Sequence, residues 1–217
     1  PQVKSYSFDD TGYYIMREGW NPKNHMLIIT AGLDDKKPDH QHGDMLGIQA
    51  YANSNVLLPN YQVRYSLPDY EFFKNSLVKN VALVDDLMQG RKYRGNKGGS
   101  GFGKFAYLPT PKTILWDPTR KREWYIGSHD GFEEAGVSYS RQVFSVENDF
   151  WIVKDNFNAA KGHTLKQVWQ GHYTVDQETS LLRATFPNGS GLDIYQLTEA
   201  DQVEQDGTQG KEWSIFI

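Results

Sequence analysis

Hydrophobic and polar residues alternate along most of this chain, in short runs that stop at turn-forming residues. Leu46, Ile48, Ala50 and Ala52 interleave with Met45, Gly47, Gln49 and Tyr51, the period of two that gives a strand one buried face. Similar runs rich in Tyr, Ile, Val, Phe and Trp predict strands over residues 12–17, 25–30, 45–52, 55–58, 81–85, 123–128, 136–147, 150–155, 164–175, 180–186 and 191–197. Glu18-Gly19, Asp130-Gly131, Asn148-Asp149 and Asn188-Gly189-Ser190 punctuate them as turns. A short helix is predicted only over residues 68–76, where Asp69 precedes Tyr70, Phe72 and Phe73. Close-set turns and the lack of alternating helical segments predict an all-β fold, an antiparallel multi-stranded β-sandwich with little helix.

A length of 217 residues suits one large all-β domain over 1–217, and a chain of this size buries roughly 70% of its unfolded surface without needing staples. Cysteine is absent, which removes disulfides, zinc ribbons and a thiol nucleophile from consideration. The formal charge of −4 argues against general nucleic-acid binding, which needs a basic footprint. No apolar run approaches the roughly 20 residues that cross a bilayer, and the N-terminus lacks the basic and apolar regions of a signal peptide. Pro1 at the start and the apolar Trp213-Ser214-Ile215-Phe216-Ile217 at the end read as the cut ends of an excised domain.

One composition shift occurs between Gly90 and Pro118, where Arg91, Lys92, Arg94, Lys97 and Lys104 crowd into a glycine-rich stretch without acids. It reads as a long exposed loop. Gly98 to Lys104 fits the first part of a phosphate-binding loop, but Phe105 stands where the hydroxyl residue is required and no helix follows. Residues 199–211 read as a polar connector. No Gly-x-Ser-x-Gly elbow occurs, and His129-Asp130-Gly131 and Gly171-His172-Tyr173 read as structural or rim elements near strand ends.

The richest chemistry lies just before the strand at 45–52, in Asp39-His40-Gln41-His42-Gly43-Asp44. On extended chain His40, His42 and Asp44 share a face and could gather around a metal ion, a carboxylate ligand or a proton in transit. The plainer alternative is a pair of surface histidines flanking a turn, with Asp44 capping a backbone amide. A cupin-like metal site expects a glutamate shortly after the second histidine, where Met45, Leu46 and Gly47 stand.

This His-x-His-x-Asp pattern is followed by the strand, by Val56-Leu57-Leu58-Pro59, and by a tyrosine-rich segment leading into Lys79-Asn80-Val81-Ala82-Leu83-Val84-Asp85. Tyr13-Tyr14-Ile15-Met16-Arg17-Glu18-Gly19-Trp20 precedes it, and Arg141-Gln142-Val143-Phe144 running into Phe150-Trp151-Ile152-Val153-Lys154-Asp155 comes after. In that order the segments span most of the chain, which thereby resembles the C-terminal β domain of heparinase II/III-like polysaccharide lyases. The resemblance implies a supersandwich-like fold, a periplasmic or secreted setting, and a larger parent lyase with an N-terminal helical toroid domain as partner. It implies activity on acidic polysaccharide, heparan sulfate or alginate in type, cleaved by β-elimination at uronic acids. The isolated domain would be inactive.

Residue by residue, the resemblance makes His40 and Tyr65 the catalytic candidates, with Tyr61, Arg64, Lys79 and Asn80 as substrate-binding candidates. It makes His42 a candidate ligand of a divalent metal such as zinc. The chain departs from the pattern at both other ligand positions: Asn60 stands for an aspartate and Lys79 for a histidine. Lys79 could instead set a fixed positive charge where the ion would sit. The basic stretch around residues 94–104 becomes a candidate lid over an anionic glycan. An alternative from another class is a noncatalytic carbohydrate-binding or scaffolding domain.

Overall fold

The computed structural model describes residues 4–33, 40–60, 70–95, 103–119, 122–146, 149–176, 178–179, 181–206 and 214–216. The chain starts as a five-stranded antiparallel meander of β1 (Tyr6–Phe8), β2 (Tyr13–Arg17), β3 (Met26–Thr30), β4 (Gly47–Ala52) and β5 (Asn55–Leu58) in that order. A single helical turn, α1 (Tyr70–Phe73), and a 3-10 turn at Ser76–Val78 lead to β6 (Ala82–Val84). The hairpin of β7 (Arg91–Arg94) and β8 (Lys104–Tyr107) follows. Next comes the second large sheet, β9 (Pro111–Asp117), β10 (Arg122–His129), β11 (Val137–Val146) and β12 (Trp151–Ala159), with every neighbour antiparallel. Strand β13 (Leu165–Gln170) pairs with β6, and β14 (Thr174–Asp176), β15 (Leu181–Thr185) and β16 (Gly191–Ile194) form a small sheet. Strands β17 (Glu204–Asp206) and β18 (Ser214–Phe216) complete the sheet edge beside β13.

The alternation legible in the sequence is what joins the two large sheets. Tyr14, Met16, Leu27, Ile29, Ile48 and Ala50 face inward from the first, against Tyr125, Tyr139 and Val143 of the second. The Tyr14 ring centroid lies 4.8 Å from that of Tyr125 and 5.4 Å from that of Trp116, distances at which tilted and edge-on aromatic pairs attract beyond their area burial. The fold is therefore an antiparallel β-sandwich with one α-helical turn among the described residues, as the sequence predicts.

Three expectations need correction. The stretch from Gly90 to Pro118 is not one long loop: β7, β8 and the whole of β9 lie in it. The two hairpin strands mix cations with aromatics, Lys92, Arg94 and Lys104 being exposed, Tyr93 and Tyr107 half-buried and Phe105 buried, and β9 is a sheet edge, so none carries the apolar run of a central strand. The predicted strand at 164–175 breaks in two at Gly171, whose φ of +147° suits only glycine. The predicted strand at 45–52 begins at Gly47, because Met45 and Leu46 belong to the turn before it.

Candidate functional site

The segment carrying the two histidines is anchored from several directions. Gly43 N–H donates to Lys74 O at 2.8 Å, and Ser76 Oγ donates to Gly43 O at 3.0 Å. The buried Gln89 side chain treats Met45 as a strand partner: Met45 N–H donates to Gln89 Oε1 at 2.7 Å and Gln89 Nε2 returns a bond to Met45 O at 3.0 Å. Leu46 is fully buried yet left-handed, with φ of 58°, a conformation that costs a non-glycine residue on the order of 1–2 kcal/mol. Its surroundings hold it there. Leu46 N–H donates to Thr30 O at 2.7 Å, and Leu46 O accepts from Arg141 Nη1 at 3.0 Å.

Arg141 is the hinge pin of this arrangement. Its Nε and Nη2 bind Asp155 Oδ1 and Oδ2 at 2.7 and 2.9 Å, and Nη1 also reaches Asn80 O at 2.9 Å. Tyr139 Oη and Gln167 Nε2 complete the carboxylate, each at 2.7 Å. Burial works against the Asp155 charge, but the facing guanidinium outweighs it and holds the carboxyl below its ordinary range. Arg141 remains charged because Asp155 more than offsets its own burial. One ion pair on β11 and β12 thereby fixes the entrance to β4 and the approach to β6.

On this base the candidate residues separate by depth. His40 is exposed, His42 half-buried and Asp44 buried. Burial pushes the His42 imidazole down to about 4; Asp44 opposes that, and Lys79, Lys74 and His40 add to it. His42 is thus neutral at pH 7, with two buried lysines and one carboxylate in its field. Lys79 is 1% exposed and donates from Nζ to Asn60 Oδ1 at 2.6 Å. Burial lowers its pKa, and Asp44 counteracts the shift. Asp44, Lys79 and Asn60, with Thr30 and Gln49, border one small recess.

Asn80 lies beneath that recess with its amide engaged by backbone. Its Nδ2 donates to Ile48 O and Pro59 O, both at 2.9 Å, and its Oδ1 accepts from Gln170 N–H at 2.7 Å. Asn80 therefore stitches β4, the end of β5 and β13 together. Tyr61, Arg64 and Tyr65 lie outside the described residues, as do residues 96–102 of the basic stretch. His129 is buried against Phe132 and Tyr139, and His172 is exposed.

The donor set does not suit a metal ion. Among the described residues no three His, Cys, Asp or Glu side chains converge as ligands, so His40, His42 and Asp44 do not form the cluster their spacing allows. Around His42 the other two positions offer a neutral amide oxygen and an ammonium, and these bind each other. An ammonium has three donors and no lone pair for a cation. Residues to which the sequence assigns no site role, Gln89, Arg141, Asp155 and Lys74, complete the scaffold. Each acts across a long sequence separation, which leaves no local signal.

The chain matches the family model described as heparinase II/III-like, C-terminal, over residues 1–214. Among solved structures it is similar to a heparinase III gene product, at 15% identity and TM-score 0.78, covering 100% of this chain and 33% of that one. A heparan sulfate lyase, HepC from Pedobacter heparinus, gives 14% identity and TM-score 0.77, covering 100% of this chain and 34% of that one. A further heparinase III structure gives 16% identity and TM-score 0.72 with 100% and 34% covered. The chain thus spans about a third of the solved structures it matches, and at these identities the likeness speaks for the fold. None of the curated proteins compared with it matches. With two antiparallel sheets packed face to face and a family match running almost end to end, the chain belongs to the heparinase II/III-like C-terminal domain family.

Proposed function

We propose that this chain is the cleft-lining β domain of a polysaccharide lyase that cleaves uronic-acid-containing glycans by β-elimination. The observation that carries this reading is His40: an exposed imidazole at the end of a segment whose following residues are locked by Gln89, Ser76 and Arg141. A catalytic group must be held by rigid surroundings to be useful. In the reaction, neutralising the substrate carboxylate acidifies the neighbouring carbon-bound proton. A base takes that proton, the electron pair forms the new double bond, and an acid protonates the departing glycosidic oxygen. His40 and Tyr65 fill the base and acid roles, with Tyr61 and Arg64 on the substrate. Lys79 and Asn80 act from below, one as buried charge and the other as a backbone tie.

An N-terminal helical toroid in the parent chain would supply the facing wall, and a periplasmic or secreted setting suits a polymeric acidic substrate. No described helix is long and apolar enough to cross a membrane. The test is formation of unsaturated product from heparan sulfate and from alginate by the full-length parent and its His40→Ala variant. A loss of about 100-fold or more in the variant is expected for a general acid or base. Equal activity removes His40 from the mechanism. Glycan binding by the parent without any product favours a noncatalytic binding domain instead.

A further inference from the structure

The two positions that break the metal-ligand pattern are not independent departures. Lys79 Nζ and Asn60 Oδ1 are bonded to each other at 2.6 Å across the recess that Asp44 borders. Each change alone would leave a defect. A lysine opposite an aspartate at position 60 would add a second carboxylate beside Asp44; an asparagine facing a histidine at position 79 would leave a donor set of two imidazoles and one amide. Together they make a closed pair in which the amide oxygen accepts from the ammonium, while Asp44 supplies the opposite charge. The lysine stem comes from the residue after the 3-10 turn, whose backbone N–H is fixed to Ser76 O at 3.1 Å. Asn75 caps the same turn by accepting from Ser76 N–H at 2.9 Å. The ammonium is therefore delivered to the recess by rigid backbone.

We propose that the Lys79 ammonium, paired with Asn60 and facing Asp44, is the resident cation of this centre, and that the domain holds its shape there without a metal ion. The inference concerns how the site is built, so it stands or falls separately from the lyase reading. A point charge on a covalent tether cannot be removed by a chelator or exchanged for another ion. It also supplies hydrogen-bond donors where a metal would supply empty orbitals. The centre is fixed in the chain rather than acquired from solution.

Metal analysis and thermal melting of the full-length protein, its His42→Ala variant and the double variant Asn60→Asp, Lys79→His test this. The wild type is expected to carry no zinc that depends on His42, and to melt at the same temperature with and without EDTA. The double variant, which restores a carboxylate and a second imidazole beside His42, is expected to gain about one zinc per chain, and its melting temperature to rise with zinc and fall with EDTA. Stoichiometric metal in the wild type that His42→Ala abolishes, with a chelator-sensitive melt, overturns the proposal. If the double variant fails to fold, a third variant decides. Lys79→Met keeps the stem without the charge, and unchanged stability in it would equally overturn the assignment, because Asp44 would then need no cation.

Discussion

Asp155 accepts from four donors: Arg141 Nε, Arg141 Nη2, Tyr139 Oη and Gln167 Nε2. Every lone pair that matters is filled, which is the condition under which a buried ion pair repays its desolvation. Asp155→Asn keeps the shape but puts an amide N–H against those donors and leaves the guanidinium without its counter-charge. A loss of about 3–5 kcal/mol is expected, read as a lower urea midpoint. The consequence extends past β12. The same guanidinium holds Leu46 O and Asn80 O, so amide exchange at Leu46, Gly47 and Ile48 should accelerate more than exchange in β15, to which neither residue of the pair is hydrogen-bonded. Sequence reading placed both residues on their strands and gave them no role. Pairing between an arginine and an aspartate 14 residues apart follows from β11 and β12 lying side by side, and side-chain chemistry alone does not specify that register.

At the scale of elements, the strands with apolar alternation, or with a short continuous apolar run such as β6, are legible in the sequence, and the short polar or edge strands are not. β2 to β5, β10, β11 and β15 fall where alternation predicts them, with ends shifted by a few residues. β1, β7, β8 and β17 are short, exposed or edge strands whose pairing is decided by neighbours far along the chain. The histidine segment shows the same limit. An extended reading places His40, His42 and Asp44 on one face, whereas the chain turns at Asp44, with Gly47 N–H bonded to Asp44 O at 2.8 Å. Leu46 is a poor advertisement for a left-handed position, so nothing local announced that turn. Gly43 is the residue that makes it fit: an added Cβ would lie 2.6 Å from Asn75 Oδ1 and 3.0 Å from Gly90 N. Asn75 cannot withdraw, since its amide is bonded to Gly90 O at 2.8 Å and accepts from Gly90 N–H at 3.0 Å. Gly43→Ala is therefore expected to cost about 1–3 kcal/mol, a lower melting temperature without change of secondary structure by circular dichroism.

For the molecule as a whole, a buried histidine makes stability depend on pH. His129, at the end of β10, sits among Phe132 and Tyr139 with ring centroids 5.0 and 4.7 Å away. Its Nδ1 accepts from Gly131 N–H at 3.1 Å, so the neutral ring carries its proton on Nε2, which is buried without an acceptor among the described residues. Burial pushes the imidazole down to about 4, with the nearby Asp130 carboxylate only partly opposing it. Unfolded, the same ring titrates near 6.5. Above that value neither state binds the proton and the group has no effect. As pH falls from about 6.5 to about 4 the unfolded chain takes up a proton that the folded one refuses, so stability drops by up to about 3 kcal/mol. Below about 4 both states are protonated and this contribution levels off. His42, lowered for the same reason, acts in the same direction. Urea midpoints measured at pH 7 and pH 4.5 should therefore differ more in the wild type than in His129→Asn. That variant keeps an acceptor for Gly131 N–H and does not titrate. Parallel pH profiles for the two proteins would assign the acid sensitivity elsewhere; a flattened profile that keeps a smaller slope leaves the remainder to His42 and to carboxylates held low by their partners, Asp155 among them.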